Sequence, residues 1–237
     1  MEILITLCAR GGSKGIPGKN IRMLNGTPLI AITIGHALKF AEIYSAKISL
    51  STDDLVIKQV AEKYGLKTQY IRPLKLSGDE VGKLETIKDL LDYEEGISKE
   101  KYEYILDLDI TSPLRNINDL ISAFELLRNN VDSLNLLSVS YASRNPYFNM
   151  VEKKDNGFYG LVKNGNFLTR QSTPIVYELN ASFYFYKRIF FEQEDLKTIS
   201  ERSLIYLMPH ICFDLDHPYD FDFMEFLLQN DKLGFDI

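Results

Sequence analysis

The chain has 237 residues, a length that suits one large domain, and its 27 Lys and Arg against 33 Asp and Glu leave a formal charge of −6. With 45% apolar and 25% charged residues the composition is that of an ordinary globular protein, able to bury a core without a disulfide or metal staple. The acidic balance excludes a chain-wide electrostatic footprint for nucleic acid, but leaves room for a local anion site.

In chain order, Ile3 to Cys8 reads as a buried strand, followed by a Gly-rich loop and a helix over Thr27 to Phe40. Lys47 to Ser51 is a second strand, with Ser51-Thr52-Asp53 placed to cap the helix that carries Val56, Ile57, Val60 and Ala61. Gly65 ends that helix and Lys67 to Ile71 reads as a third strand. A helix over Glu80 to Tyr93, a strand over Tyr104 to Leu108, a helix over Ile117 to Asn129 and a strand over Leu134 to Val139 follow. Strands alternating with helices imply an open, mostly parallel α/β sheet with helices on both faces. The loops after Leu7, Ser51, Ile71 and Leu108 should converge on a ligand beyond the carboxyl ends of the strands.

Between Tyr141 and Leu179 the pattern changes. Asp155-Asn156-Gly157 and Lys163-Asn164-Gly165-Asn166 are turn signals between short alternating runs, which predicts β-hairpins in a protruding arm. The sheet is expected to resume at Ser182 to Tyr186, Leu204 to Met208 and His210 to Phe213, before a last helix over Tyr219 to Gln229. One domain over 1–237, with 141–179 as an inserted arm, is the simplest organisation. Cys8 and Cys212 sit in apolar runs and read as core thiols, and no Cys/His spacing resembles a zinc site. His36, His210 and His217 read as structural. The N-terminus lacks a signal-peptide pattern and no apolar run approaches 18 residues, so a cytoplasmic protein without a membrane span is expected.

The two ends differ in charge. Residues 3 to 41 hold five cations, Arg10, Lys14, Lys19, Arg22 and Lys39, and no acid; residues 213 to 237 hold seven acids and one Lys. The N-terminal cations cluster in Cys8-Ala9-Arg10-Gly11-Gly12-Ser13-Lys14-Gly15-Ile16-Pro17-Gly18-Lys19-Asn20. This is neither a P-loop, since Ser13 stands where the first Gly is needed and Asn20 follows Lys19, nor a Gly-x-Gly-x-x-Gly fingerprint. A glycine-rich turn after a buried strand offers backbone N–H groups and cations to a polyanion. At the other end, Asp214 and Asp216 are spaced i, i+2, which on extended backbone turns both carboxylates to one side and suits a hard cation. Asp220 and Asp222 read as acids of a helix N-terminus.

The loop resembles the N-terminal signature of the CMP-acylneuraminate (sialic acid) cytidylyltransferases. Ser51-Thr52-Asp53, Arg72-Pro73, Thr111-Ser112-Pro113-Leu114-Arg115, Arg170-Gln171, Asn180 with Tyr184, and Phe213-Asp214-Leu215-Asp216 agree in order along nearly the whole chain. The resemblance implies a nucleotidyltransferase that joins CTP and a nonulosonic acid into a CMP-sugar and pyrophosphate, on a nucleotide-binding α/β sheet whose arm exchanges contacts in a homodimer. It implies Arg10, Gly12, Lys14 and Lys19 at the triphosphate, with Lys19 nearest the chemistry, and Asn20 and Arg72 near the nucleoside. It implies Mg²⁺ on Asp214 and Asp216, with Asp216 a candidate for activating the attacking hydroxyl. Asp109, Asn180 and Tyr184 fall in the sugar pocket, and Arg170 is the expected partner of the sugar carboxylate from across the dimer.

Several positions depart from the family pattern. Asp109 stands where many members carry Gln, Asn145-Pro146-Tyr147-Phe148-Asn149 where several place a Lys, and Glu178-Leu179-Asn180 lacks a common Arg. Leu106-Asp107-Leu108-Asp109 with Pro146-Tyr147-Phe148-Asn149 looks more like the bacterial branch that acts on legionaminic acid. Sialic acid, pseudaminic acid or a 3-deoxy-octulosonate are alternative sugars, and a catalytically silent nucleotide-binding homologue is the alternative of another class.

Overall fold

The computed structural model describes residues 2–12, 15–78 and 80–237. The opening apolar run forms β1 (Ile3–Cys8). Its alternate residues separate as a pleated strand requires, Ile3, Ile5 and Leu7 into one core and Leu4 into a second. The short strands β2 (Met23–Leu24) and β3 (Thr27–Pro28) pair antiparallel and lead into α1 (Leu29–Tyr44). β4 (Lys47–Ser51) and α2 (Leu55–Lys63) follow. Asp54 caps α2, its Oδ1 accepting from the N–H groups of Val56 at 2.7 Å and Ile57 at 3.2 Å. The cap thus falls one residue beyond the expected triplet, and Asp53 is released for another contact.

α3 (Lys83–Ser98), β5 (Tyr104–Leu108), α4 (Ile117–Arg128), β6 (Asn135–Tyr141), β7 (Val151–Lys153), β8 (Tyr159–Leu161), β9 (Tyr177–Lys187), β10 (Ser203–Leu207) and α5 (Pro218–Gln229) complete the chain. The main sheet has the order β10-β6-β9-β5-β1-β4. β1 pairs parallel with β4 and β5, and β10 with β6, while β9 is antiparallel to both neighbours. Residues of α1, α2, α4 and α5 fill the core on one face; Leu84, Ile87 and Leu91 of α3 fill the other.

β1 lies between β4 and β5, and the loops leaving β1 and β5 stand side by side beyond their carboxyl ends. Between these loops lies a crevice at the carboxyl ends of the strands, where such sheets take their ligands. β9 carries a register shift opposite Leu137 and Val139, and beside it Ala181 takes the left-handed region at φ 59°. Asn180 secures this bulge: its Oδ1 accepts from Ser138 Oγ at 2.7 Å and its Nδ2 donates to Ser140 Oγ at 3.0 Å.

Three expected elements are absent. Lys67 to Ile71 is irregular: Arg72 N–H bonds the Thr52 carbonyl beyond β4, Tyr70 is buried against Tyr93 of α3, and Ile71 is 67% exposed. His210 to Phe213 is also irregular, because side chains take up its polar groups: His210 Nε2 meets Asp119, and Ser112 Oγ donates to the Phe213 carbonyl. In the arm, Asp155-Asn156-Gly157 does turn the β7–β8 hairpin, with Gly157 at φ 83°. The Lys163–Asn166 signal makes no second hairpin; Lys163 N–H bonds the Pro146 carbonyl and the Phe167 ring packs edge-on against Tyr147. Among the described residues no helix is long and apolar enough to cross a membrane.

Candidate active site

A cleft of about 310 Å³ opens at the carboxyl ends of β1 and β5, walled by Arg10, Lys19 and Asn20 on the glycine loop and by Asp109, Thr111 and Asp216 opposite. Buried contacts set the path of the loop. Asn20 Nδ2 donates to the Arg10 carbonyl at 2.9 Å, and Gly11 N–H donates to Asp53 Oδ1 at 2.9 Å. A Cβ on Gly11 would lie 2.6 Å from Asp54 Oδ2, so only glycine lets the loop lean on the start of α2. A Cβ on Gly15 would lie 3.2 Å from the Asp216 carbonyl oxygen, so the loop also runs close beside the acidic segment. Gly12 faces open space.

Lys19 Nζ donates to Asp216 Oδ1 at 3.1 Å, joining the two oppositely charged ends of the chain across the cleft. The Asp216 side chain is 64% exposed. Asp220, in the first turn of α5, receives the N–H groups of Asp216 at 2.9 Å and His217 at 2.6 Å, which fixes the acidic segment at the helix entry. Asp214 is partly buried; burial first, then the carboxylates of Asp109 and Asp216, push its pKa up against a bond from Thr111 and the charge of Lys19. Burial is the main cause of that shift, and the neighbouring carboxylates add to it.

A second lysine lies deeper. Lys83 Nζ meets Asp107 Oδ2 at 2.7 Å and Asp109 Oδ2 at 2.8 Å, and stands 5.1 Å from the centre of the Tyr184 ring. Asp107 is fully buried and also accepts from Thr6 Oγ1 at 2.9 Å. Asp109 Oδ1 receives both the N–H and the hydroxyl of Thr111 at 2.8 Å. Burial alone would raise the Asp109 pKa, but Lys83 and Thr111 outweigh it and hold the carboxyl at about 2. Burial likewise opposes the charge on Lys83, and the two carboxylates override it, keeping the ammonium well above the ordinary lysine range. Burial pushes the Tyr184 phenol up to about 12 and the Cys8 thiol, at the cleft floor, to about 12. Neither ionises near neutrality.

The other expected residues are distributed unevenly. Arg10 lines the cleft and its Nη1 donates to the Gly78 carbonyl at 3.3 Å. Lys14 lies outside the described residues. Arg72 is 5% exposed and donates through Nε and Nη2 to the hydroxyl and carbonyl of Ser51, tying the end of β4. Asn180 is committed to the β9 bulge. Arg170 lies apart from the cleft, in a hollow on the arm with Tyr141 and Asn145, where its Nη2 donates to the Ser143 carbonyl at 3.4 Å.

A family model described as cytidylyltransferase matches residues 4–234. The chain belongs to the cytidylyltransferase family. It is 40% identical over 232 residues to the post-translational flagellin modification protein B of Campylobacter coli, covering 98% of this chain and 97% of that protein. It is also 40% identical over 233 residues to the CMP-N,N'-diacetyllegionaminic acid synthase of Campylobacter jejuni, with the same coverage. Its fold is similar to a solved CMP:2-keto-3-deoxy-manno-octonic acid synthetase complexed with CTP, at TM-score 0.69 and 15% identity, covering 98% of this chain and 100% of the other.

Two side chains that shape this cytidylyltransferase's cleft escape a reading of its sequence. One is Lys83, whose partners lie more than twenty residues further along the chain. The Asp107-x-Asp109 spacing signals that a cation must neutralise two acids on one strand end, yet nothing in the sequence says which. The other is Arg115, fully buried and with no carboxylate ion pair among the described residues. Its Nη1 donates to the carbonyls of Ser112 at 2.9 Å and Ser182 at 2.6 Å, and its Nη2 to Thr33 Oγ1 at 3.0 Å and the Asp109 carbonyl at 2.8 Å. One guanidinium thereby joins α1, the end of β5, β9 and the Thr111–Arg115 turn beneath the cytidylyltransferase cleft. Burial lowers its pKa to about 10, so it stays charged. The histidines are structural: His36 is buried, and burial and then Arg115 depress its pKa, while His210 stacks on Phe235 with ring centres 3.6 Å apart.

Proposed function

We propose that the protein transfers CMP from CTP to a nonulosonic acid, releasing pyrophosphate, and that its sugar is a legionaminic acid. The observation that carries this reading is a cleft with a cationic glycine loop on one wall and a carboxylate-rich wall opposite, in a chain 40% identical to a legionaminic acid synthase along its length. Arg10 and Lys19 would receive the triphosphate, with Lys14 joining them by the family resemblance. Lys19 is already poised by Asp216, and exchanging that carboxylate for a phosphate oxygen keeps its charge compensated as negative charge gathers in the transition state. Gly12, with open space at its Cα, would let a phosphate approach the backbone. Asn20 shapes the loop, and Arg72 holds the end of β4 where the nucleoside would lie.

Asp214 and Asp216 fit a Mg²⁺ ion. Burial first, then the carboxylates of Asp109 and Asp216, disfavour the charge on Asp214, and a cation would offset the repulsion among them. Among the described residues no group of three or more His, Cys, Asp or Glu could hold a metal by itself. Mg²⁺ commonly uses one or two carboxylates and completes its shell with water and substrate phosphates, so a two-carboxylate site suits it. When bound, the ion would supply charge to the phosphoryl oxygens. Asp216, exposed at the mouth, is the carboxylate placed to draw the proton from the sugar's anomeric hydroxyl as it attacks the α-phosphorus. Asp109 and Tyr184 form the sugar side, and Asn180 shapes it through the bulge.

The arm leaves Phe158 76%, Tyr159 72% and Leu168 94% exposed, a surface that fits a second copy of this chain. A homodimer would also explain why Arg170 lies away from its own cleft: it would serve the sugar carboxylate of the partner's. Pyrophosphate release from CTP, measured with legionaminic, pseudaminic and N-acetylneuraminic acids in parallel, tests the whole reading. Release that depends on the added acid and is fastest with legionaminic acid is expected. Equal release without any acid, or none with all three, would remove the proposal.

A further inference from the structure

Lys83 occupies a position that local rules disfavour. It is the first residue of α3, and the N-terminus of a helix carries partial positive charge that repels a cation. Such local conflicts mark sites where something other than folding sets the residue. Neutralising buried Asp107 would account for one contact, but Lys83 also reaches Asp109, which faces the cleft. An ammonium has three N–H donors, so two carboxylate contacts leave one for an incoming group. The Lys83 side chain is 35% exposed, and Asp109, which it bonds at 2.8 Å, lines the cleft beside it.

Charge fixes the direction in which a substrate would lie. Lys83 with Asp107 and Asp109 sums to one net negative charge, which repels a carboxylate and attracts hydroxyl or amide N–H donors. The opposite wall, with Arg10 and Lys19, attracts anions. We infer that Lys83 is a positioning residue for the sugar acid, fixing Asp109 as an acceptor for a sugar hydroxyl or amide N–H and donating its remaining N–H to a neighbouring sugar oxygen. This rests on the proposed nonulosonate transfer and adds the device that orients the acid, hydroxyl and amide groups toward β5 and carboxylate away from it.

The test separates the two substrates. KM for the sugar acid and for CTP are measured by pyrophosphate release in the wild type, Lys83→Met, Lys83→Arg and the double variant Asp107→Asn/Lys83→Met, which removes the buried charge that the single change would strand. The sugar-acid KM should rise about tenfold or more in both Met variants, as loss of a charged hydrogen bond implies. The CTP KM and kcat should stay within about twofold, and Arg should recover part of the loss. An unchanged sugar-acid KM, or an equal rise for CTP, would overturn the inference. A wild type inactive with every acid would instead defeat the proposed function. Should neither Met variant fold, Lys83→Arg still decides: its sugar-acid KM should rise about threefold or more while its CTP KM stays within about twofold, and an unchanged sugar-acid KM would sink the idea.

Discussion

Two lysine–carboxylate clusters face the same cleft and are built in opposite ways. Lys19 and Asp216 join at 3.1 Å across the mouth, on a loop and a pre-helical segment, with the carboxylate largely in water. Lys83 and its two aspartates sit deeper, on a helix start and a strand end, with Asp107 fully enclosed. An exposed pair is worth little to stability and exchanges partners readily. An enclosed one is costly to break, because removing either member leaves a buried charge. The difference assigns the labour: the outer pair can open to admit a triphosphate, while the inner cluster stays fixed and gives the sugar a surface of constant shape.

The largest effect that would probe this division is loss of metal. Chelation with EDTA should abolish turnover and excess Mg²⁺ should restore it, if Asp214 and Asp216 hold the cation as proposed. Full activity in EDTA would break that assignment. Next is Lys19→Ala, which should lower kcat by roughly 10²–10³. Its unfolding free energy should move by less than about 1 kcal/mol, because Asp216 at 64% exposed stays solvated when Lys19, itself 16% exposed, is lost. Steady-state rates and urea unfolding on one preparation check both halves. A large stability loss with near-normal kcat would invert the roles of the two clusters.

The outer pair was nearly legible in the sequence and the inner one was not, for a physical reason. The glycine loop and the Asp-x-Asp segment are local patterns, and each carries its chemistry in adjacent residues. The parallel strands were legible for the same reason, β1 and β5 as largely apolar runs and β4 as an alternating one. Lys83 has no such neighbourhood; its meaning arises only when β5 and α3 come together over the core of Leu84, Ile87 and Ile105. Arg115 sits in a recognisable segment, but its role as a buried tie depends on carbonyls from β9. The antiparallel course of β9 follows from an insertion between β5 and β6 that no short window reveals. Lys67 to Ile71 misled because its composition suits a strand, and Tyr70 is indeed buried under α3, but its backbone makes no ladder with β4.

The smallest effect distinguishes the clusters by pH. The folded-state pKa of Asp109 is about 2, below its ordinary value of 3.8, because Lys83 and Thr111 overcome the effect of burial. A depressed carboxylate contributes stability that is complete above the unfolded pKa and is lost as pH falls through the folded one. The window therefore runs from about pH 4 down to about pH 2, and the contribution is on the order of 2 kcal/mol. Urea unfolding at intervals from pH 5 to pH 3 should show stability falling more steeply in the wild type than in Asp109→Asn, which has no proton to take up. Equal slopes would mean that Lys83 does not hold Asp109 ionised. The inner cluster would then be as exchangeable as the outer, and the contrast between them would fail.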